Sequence, residues 1–394
     1  MEYIKIKDLD VQISDGNYSS KYPNSSEFIS SGIPFIRCNN FFNNSITNKD
    51  MYYISKEKHS ELLKGHLKTN DVLISTRGNI GQVVIVPEKY NDANINAQIV
   101  LLRPGKTLDC RYLMWSLKSG YVQKQMEQNQ TGSALKQLPV KRLSEIKVPI
   151  EMDINIQKNI ADKLDKIFTM INLKKEEMKK IDELIKSQFV EMFGNIKTND
   201  KKWNVYSNLL NYCVFNPKKN EIAEVNKDTM VTFLPMQNVS VDGVINYSIE
   251  KKISEVWKGF TYFKENDVLF AKITPCMENG KGAVAKKLKN GIGFGTTEFH
   301  VIRPNKEINS VWLYHVLADK DFRKEAGENM TGSAGQKRVP ITFLENYKLA
   351  IPPIELQNKF AQIVEQIDKQ KFEFENSLKK LEELQASLMQ EYFG

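Results

Sequence analysis

The chain has 394 residues, of which 41% are hydrophobic and 10% aromatic, so it can build sizeable cores and its composition argues against extensive disorder. Its net charge of +8 is compatible with a polyanionic partner. Scattered cysteines, a polar N-terminus and the lack of any apolar run near the ~18 residues of a membrane span argue against a disulfide framework, secretion and membrane insertion, so we expect a cytoplasmic protein.

Residues 1–154 alternate short apolar runs with polar turns, which is typical of a mixed α/β domain. The strand-like runs are bounded by Gly, Asn or Pro and include "IPFIRC", "DVLIS", "VVIVP" and "IVLL". Segment 111–128 has helical spacing instead. Residues 155–194 follow as a long predicted helix, which ends at Gly194, a residue type expected at a helix C-cap.

The second half of the chain repeats the first. "NDVL" begins at 70 and 266, "TGSA" occurs at 131 and 331, and the segments 179–194 and 379–394 align without a gap with 8 of 16 residues identical. A Gln opens each long helix, Gln157 in the first and Gln357 in the second. The sequence therefore predicts an α+β fold with two tandem mixed α/β domains, 1–154 and 195–354, separated by two long helices, 155–194 and 355–394.

Both long helices carry apolar residues in the 4-3 alternation that is typical of a coiled coil. The seam consists of Ile160, Leu164, Ile167, Ile171, Met178, Ile181 and Ile185 in the first helix and Phe360, Val364, Ile367, Phe374, Leu378, Leu381 and Leu388 in the second. A single helix would leave such a seam in water. We therefore expect the helices to pair as an antiparallel coiled coil with internal pseudo-twofold symmetry, each about 57 Å long at ~1.5 Å per residue.

No catalytic constellation is recognisable in the sequence. There is no phosphate-binding G-x-x-x-x-G-K-[ST] loop, and the Gly-rich stretch "GIGFGTT" is not followed by a helical pattern. His59, His66, His300 and His315 stand in unrelated contexts without the spacing of metal ligands. The sequence thus predicts neither an active site nor a metal site.

The polar residues that stand out lie in loops at matching landmarks of the two halves, and their types suit DNA. Arg bonds guanine and Asn or Gln bonds adenine in the major groove, whereas Lys and Arg hold phosphates. Each Thr-Gly-Ser loop would let its backbone approach a phosphate closely. The candidates are Arg37, Asn39, Asn40, Thr76, Arg77, Asn79, Thr131, Ser133 and Lys136, then Gln237, Asn238, Lys272, Thr274, Asn279, Lys281, Thr331, Ser333, Lys337 and Arg338. The alternative is that these loops are ordinary polar turns.

The layout resembles the specificity (S) subunits of Type I restriction–modification systems. The resemblance rests on "NDVLFAKITPCMENGKG", "TEFHVIRP", "TGSA" followed by "VP" and "IPPIELQNKFAQIV", and the closing "FG", and it covers essentially the whole chain. The first half departs from the pattern, with "MDINIQ" where the second has "PIELQ", and with the shorter loop "STRGNIGQ".

The resemblance implies a subunit without catalysis of its own. Two target-recognition domains would each read one half of a split target in double-stranded DNA, and the helical spacer would fix their separation. Two methyltransferase (M) subunits that methylate adenine N6 and two restriction (R) subunits would bind to the chain. S-adenosylmethionine, ATP and magnesium would then be used by those partners, and no cofactor would be bound by this chain.

Four other functions fit parts of the sequence. An orphan DNA-binding or regulatory protein of the same fold would look identical in sequence, and a copurifying M protein would discriminate between the two roles. The recognition subunit of a related methyltransferase–nuclease system is a second alternative. A recognition module fused to its own methyltransferase or nuclease is disfavoured by the lack of catalytic motifs. A coiled-coil adaptor without nucleic acid would not need basic loops on both domains.

Overall fold

A computed structural model, which describes residues 1–18, 21–133, 135–333 and 335–394, divides the chain into two compact units. The first unit comprises Met1–Glu176 and Glu375–Gly394, and the second comprises Glu177–Phe374. Each unit therefore contains one of the predicted mixed domains together with segments of both long helices. Ala134 and Ala334, the last residues of the two "TGSA" motifs, lie outside the described residues.

The first unit is built around a four-stranded sheet in the order β2-β10-β7-β8, with a three-stranded sheet β6-β3-β9 and the pairs β1-β11 and β4-β5. The elements are β1 (Glu2–Lys5), β2 (Val11–Asp15), β3 (Ile33–Ile36), β4 (Phe41–Phe42), β5 (Ser45–Ile46), β6 (Tyr52–Ile54), α1 (Lys56–Glu61), β7 (Val72–Ser75), β8 (Val83–Ile85), β9 (Asn94–Ile95), β10 (Ile99–Pro104), α2 (Cys110–Lys118), α3 (Gly120–Gln128), α4 (Val140–Ser144), β11 (Lys147–Ile150) and the start of α5 (Ile154–Phe193).

The second unit repeats this plan with sheets β13-β20-β17-β18 and β15-β14-β19-β16 and the pair β12-β21. The elements are β12 (Val205–Asn208), β13 (Cys213–Phe215), β14 (Met230–Leu234), β15 (Glu250–Lys252), α6 (Ile253–Val256), β16 (Thr261–Lys264), β17 (Val268–Ala271), β18 (Gly282–Val284), β19 (Ile292–Gly295), β20 (Phe299–Pro304), α7 (Ser310–Ala318), α8 (Lys320–Glu328), α9 (Ile341–Glu345), β21 (Lys348–Ile351) and α10 (Ile354–Phe393). The predicted tandem α+β repeat is confirmed.

A buried ion pair explains why "ND" and "RP" recur at the same landmarks. In the first unit Arg103 on β10 makes two hydrogen bonds to the carboxylate of Asp71, which precedes β7, at 2.7 and 2.8 Å. In the second unit Arg303 does the same to Asp267, at 2.7 Å for both bonds. Both aspartates are buried, and such a bidentate pair satisfies their charge inside the domain. The pair fixes the register of the central strands in each unit.

The glutamine at the start of each long helix anchors that helix to its domain. The Gln157 side chain accepts a hydrogen bond from the Asp109 amide at 2.8 Å and donates to the carbonyls of Thr107 and Glu151. Gln357 repeats the arrangement and accepts from the Asn309 amide at 2.8 Å. Both side chains are buried and use their donors and acceptor, so each sets where its helix begins.

Within each unit the two long helices run antiparallel. In the first unit Lys175 pairs with Glu382 at 2.8 Å, and the Lys163 amine lies 3.3 Å from the Tyr392 hydroxyl, so residue numbers rise along α5 as they fall along α10. The fourteen predicted seam residues are all buried or half-buried. The predicted antiparallel pairing is thus confirmed inside each unit.

In the second unit aromatic contacts and an ion pair join the two helices. The Phe360 ring lies 5.4 Å from that of Phe189 and 5.5 Å from that of Phe193, and Lys371 bonds Asp182 at 2.8 Å.

Among the described residues no helix combines the length and the apolar character needed to cross a membrane.

Candidate nucleic-acid interface

In the first unit the loop after β7 presents polar side chains at the end of a fully buried strand. The hydroxyl of Ser75 donates to the carbonyl of Asn79 at 2.5 Å and so closes the turn. Arg77 and Asn79 are exposed on that turn. Thr76 is buried, and its hydroxyl donates to the carbonyl of Gln98 at 3.0 Å. The Thr76 hydroxyl therefore holds the loop instead of facing solvent, and a role for Thr76 in DNA binding stays a prediction.

The Thr-Gly-Ser loop of the first unit lies beside this turn. Thr131 and Gln137 exchange two backbone hydrogen bonds at 2.8 and 2.9 Å, and the Leu138 amide donates to the carbonyl of Thr76 at 2.9 Å. Gln137 also forms an isolated antiparallel bridge with Arg77. Two segments more than 50 residues apart in the sequence thus form one surface.

This first loop surface contains a tyrosine that sequence reasoning missed. The guanidinium of Arg77 lies 5.4 Å from the centre of the Tyr18 ring, and the amine of Lys64 lies 5.5 Å from it. Partial burial raises the pKa of Tyr18. The exposed or half-buried members of the surface are Tyr18, Lys64, Arg77, Asn79, Thr131, Ser133 and Lys136. An aromatic ring between cations is a common arrangement for holding nucleotides.

The second unit brings the equivalent loops together. The amide of Lys272 donates to the carbonyl of Glu298 at 3.0 Å, and its carbonyl accepts from the Val339 amide at 2.9 Å. The Thr274 amide donates to the carbonyl of Lys337 at 3.0 Å. The second loop surface therefore joins the loop after β17 to the second Thr-Gly-Ser loop, as the first loop surface joins the loop after β7 to the first Thr-Gly-Ser loop.

One cation of this second loop surface is already paired. Thr331 and Arg338 exchange backbone hydrogen bonds at 2.9 and 2.8 Å, and the Arg338 guanidinium makes two bonds of 2.9 Å to the Glu298 carboxylate. The Arg338 guanidinium holds the pKa of Glu298 below its ordinary value. Burial lowers the pKa of Lys272, and the nearby Arg338 charge lowers it further while Glu298 opposes this. The exposed members of this surface are Thr331, Ser333 and Lys337.

The longer loop after β17 is held from inside by Arg323, which sequence reasoning also missed. Its guanidinium donates to the carbonyls of Met277 at 3.2 Å, Gly280 at 3.4 Å and Lys281 at 3.4 Å. The Arg323 side chain is buried, and burial lowers its pKa to about 10. Asn279 remains exposed on the loop.

Two further candidates on this loop are turned towards the protein. The Lys281 amine donates to the carbonyl of Met236 at 3.2 Å. The Thr274 hydroxyl is buried and has no hydrogen-bond partner among the described residues. The backbone of Thr274 pairs with the neighbouring loop and its hydroxyl oxygen is buried, so a role for Thr274 in DNA binding stays a prediction.

Equivalent short turns follow β3 and β14, and each exposes one amide. Asn39 in the first unit and Gln237 in the second are exposed. Asn40 is buried, donates to the Lys49 carbonyl at 2.9 Å and accepts from the Arg37 amide at 2.9 Å, so its side chain holds the turn and its role in DNA binding stays a prediction.

The neighbours of these two amides are used within the fold. The Arg37 guanidinium lies 3.4 Å from the centre of the Tyr52 ring and donates to the Asp50 carbonyl at 2.6 Å. Asn238 is half-buried and donates to the carbonyl of Asn246 at 3.1 Å. The amides that face solvent on these turns are therefore Asn39 and Gln237.

The fold and the loops define a two-unit protein whose candidate interface is made of cations, amides and hydroxyls rather than a nucleophile paired with a base. The model of the Type I restriction modification DNA specificity domain matches residues 1–183 and 213–386. Because this match covers most of the chain and both units, the chain belongs to that family.

Curated relatives and solved structures agree with this assignment. The Type I restriction enzyme EcoAI specificity subunit of Escherichia coli is 44% identical over 148 residues, which is 35% of this chain and 25% of that protein. The alignment thus spans about a quarter of that relative. The StySPI specificity subunit of Salmonella potsdam is 20% identical over 383 residues, 92% of this chain and 81% of that protein.

Among solved structures, the S subunit of a Type I restriction–modification system from M. genitalium is similar over 100% of this chain and 96% of its own, with a TM-score of 0.58 and 14% identity. A chain from a structural study of complex assembly in a type I R-M system has a TM-score of 0.56 and 12% identity, over 99% of this chain and 97% of its own. At these identities the likeness establishes the fold.

Proposed function

We propose that this chain is the DNA-recognition subunit of a Type I restriction–modification complex and has no catalytic activity of its own. The observation that carries the proposal is the repetition of the candidate interface. Each unit presents exposed polar or cationic residues on the same pair of adjoining loops and one exposed amide on the turn after β3 or β14. The family match spans both units.

In this proposal each unit reads one half of a bipartite target in double-stranded DNA. The first loop surface offers Arg77 and Asn79, whose side chains suit guanine and adenine edges. The second offers Asn279 and Lys337. Because the two sets differ while the scaffold repeats, the two units would read different base sequences and use their lysines for phosphates.

The long helices would fix the distance between the half-sites and dock the other subunits. Several large apolar side chains stand exposed along both helices, among them Met170 and Leu173 on α5 and Phe372 and Leu384 on α10. Such side chains could be covered by a bound partner subunit. We propose two M subunits and two R subunits as the partners, working in the cytoplasm, with S-adenosylmethionine, ATP and magnesium used by those partners.

The test is to map the methylated sequence after co-expression with the M subunit that copurifies with the chain. Arg77→Ala should relax the first half-site by ~1–3 kcal/mol and leave the second unchanged, because a lost base contact acts locally. Lys337→Ala should weaken all sites alike and reduce the salt slope of binding by about 1 if it holds a phosphate.

Matched controls lie at the far end of the same sheets. Lys106 and Lys306 are exposed lysines in the turns that follow β10 and β20, at the opposite strand ends from the two loop surfaces. Their Ala variants should bind and methylate as the parent does. Unchanged affinity and motif in the Arg77 and Lys337 variants would overturn the assignment of these loops.

A second experiment separates recognition from partner docking. Exchanging residues 1–154 for the matching unit of another specificity subunit should change one half of the methylated motif only. If no M subunit copurifies while sequence-specific binding persists, an orphan DNA-binding role replaces the proposed one.

A further inference from the structure

The first unit contains a group of three potential metal ligands away from its loop surface. His59 lies on α1, His66 faces Asn94 across an isolated bridge, and Asp92 lies on the turn before β9. One ligand atom from each of His59, His66 and Asp92 lies within 4.8 Å of the other two. The two imidazole centres are 4.6 Å apart, and Nε2 of His59 is 3.4 Å from a carboxylate oxygen of Asp92.

Each imidazole already uses one of its nitrogens, which leaves the other with a lone pair. Nδ1 of His59 bonds the side-chain oxygen of Asn94, and Nε2 of His66 lies 2.7 Å from the carbonyl of Leu62. A ring that donates one N–H to an oxygen has its tautomer set and presents its second nitrogen as a ligand. His59 Nε2 and His66 Nδ1 are therefore the nitrogens available to an ion.

The same place in the second unit is apolar. β9 pairs with β3 as β19 pairs with β14, so Asn94 in the first unit corresponds to Phe294 in the second. The residue paired with Asn94 is His66 and the residue paired with Phe294 is Tyr262, so these two correspond as well. Asp92 and Ile292, each two residues earlier, are the third equivalent pair. Counting from the N-caps Ser55 and Lys252 aligns His59 with Val256. The second-unit residues Val256, Tyr262, Ile292 and Phe294 all belong to one buried hydrophobic cluster.

Because the second unit is apolar at the equivalent positions, the fold itself does not require polar groups there. Asn94 is fully buried, and its side-chain nitrogen has no hydrogen-bond partner among the described residues. A buried polar cluster is costly unless it is satisfied. An ion bound by the imidazoles would hold His59 in the tautomer that donates to the Asn94 oxygen, and so would account for this contact between His59 and Asn94.

We propose that His59, His66 and Asp92 form a binding site for a divalent transition-metal ion, with Zn²⁺ as the preferred ion. Two imidazole nitrogens and one carboxylate oxygen suit Zn²⁺, with water as the fourth ligand. The three ligands come from α1, the segment after it and the turn before β9, so the ion cross-links three parts of the first unit. The sequence predicted no metal site because the ligands are separated along the chain without a known motif.

The experiment uses the full chain without a polyhistidine tag, stripped of metal by a chelator. Calorimetric titration with Zn²⁺ should show one site per chain, and Co²⁺ should give the visible absorption of a tetrahedral nitrogen–oxygen site. Zn²⁺ should also slow hydrogen exchange in α1 and in the turn before β9. Absence of Zn²⁺ binding at micromolar concentration would overturn the proposal.

Asp92→Asn is the sharpest variant, because Asp92 is exposed and its backbone has φ of +65°, a conformation that asparagine adopts readily. Asp92→Asn should weaken Zn²⁺ binding at least about tenfold. Changing a residue that only hydrogen-bonds to a ligand typically weakens metal binding about 10–100-fold, and loss of a ligand itself should cost no less. The matched control is Asp50→Asn, which changes another exposed aspartate of positive φ, 52°, in the same unit.

His59→Gln gives an independent check, since it removes a nitrogen ligand from α1. It should weaken Zn²⁺ binding as Asp92→Asn does, while Asp50→Asn binds as the parent. Equal Zn²⁺ affinity in the parent, Asp92→Asn and His59→Gln would show that the three residues are an ordinary polar contact. DNA recognition by either unit is not needed for any of these readouts.

Discussion

The loops after β7 and β17 occupy equivalent places in the two units but differ in length, spanning 76–82 and 272–281. Gln123 holds the shorter loop through the carbonyl of Gly81 at 3.0 Å and bonds the carbonyl of Leu117 at 2.8 Å. Arg323, 200 residues later, holds the longer loop and bonds the carbonyl of Leu317 at 2.5 Å. A guanidinium has five donors where an amide has two. One helical position thus supports two different loops.

The two units share a frame, the buried Asp–Arg pair of their central strands, but differ in their loop surfaces. The Asp71–Arg103 and Asp267–Arg303 pairs have nearly identical geometry. The surfaces above that frame differ in charge. Where the second unit has Glu298 bound to Arg338, the first has two amides at the matching backbone positions, Gln98 and Gln137. Evolution of a new target would therefore need changes in loops and their anchors, and the frame would remain.

The largest expected effect comes from breaking the shared ion pair. Arg103→Met and Arg303→Met each leave a fully buried aspartate without its partner, which costs about 3–5 kcal/mol of unfolding free energy. Arg303 also bonds Glu221 at 2.6 Å, so its loss should be the more severe of the two. Hydrogen exchange resolved by unit would measure this. If the variant's own unit keeps its unfolding free energy, or if the other unit is destabilised instead, the ion pair does not have this stabilising role.

Acid should destabilise the second unit before the first. Burial lowers the pKa of His315 to about 4, whereas the unfolded chain titrates near the ordinary 6.5. The unfolded state therefore binds more protons, and stability is lost as the pH falls from about 6.5 towards 4. At about 1.4 kcal/mol per pKa unit the loss is about 2–3 kcal/mol.

The matched variant for that prediction is His315→Leu, which removes the titrating group. Unfolding followed at pH 7 and pH 4.5 should show a smaller pH dependence in the variant than in the parent. An unchanged pH dependence would show that His315 is charged in the folded state. His300, whose pKa burial also lowers to about 4, contributes to the pH dependence that remains in the variant.

Arg323 can be replaced by glutamine, the residue that stands at the equivalent position, Gln123, in the first unit. Arg323→Gln should keep the bond to the Leu317 carbonyl but lose those to the longer loop, at a cost of about 1.5–3 kcal/mol for hydrogen bonds from a charged donor. Hydrogen exchange should rise in residues 276–281. Gln123→Leu is the counterpart, with a smaller effect of about 0.5–1.5 kcal/mol because its donor is neutral. Equal effects would contradict the anchoring role of the guanidinium.

The smallest effect concerns the half-buried ion pair of the second loop surface, Glu298 with Arg338. Arg338 lowers the pKa of Glu298, so the pair stabilises the fold above the ordinary glutamate pKa and this contribution is lost as the pH falls through the lowered value. Glu298→Gln should abolish that acid dependence and make the second surface resemble the first, where Gln98 stands. Thermal unfolding at pH 3 to 6 would measure it, and a parent-like acid dependence in Glu298→Gln would contradict it.

The repeat, the fold class and the helix seam follow from the sequence because each is visible as a pattern in the order of the residues. The 4-3 spacing from Ile160 to Ile185 is a local property of a helix, and the structure buries those positions. The recurrence of "NDVL" and "TGSA" likewise needs only the order of residues along the chain. Such patterns can be recognised in the sequence without knowing how the chain folds.

The details of the candidate surfaces required the tertiary structure. Thr76, Asn40 and Thr274 are polar loop residues like Arg77, yet Thr76 and Asn40 are buried and so is the hydroxyl oxygen of Thr274, since exposure depends on which distant segment covers a loop. Arg338 finds its partner 40 residues away at Glu298. The His59, His66 and Asp92 group has no sequence spacing to reveal it, because strand pairing between remote segments brings its members within 4.8 Å. Contacts of this kind depend on long-range packing, which a single sequence does not encode in any local period.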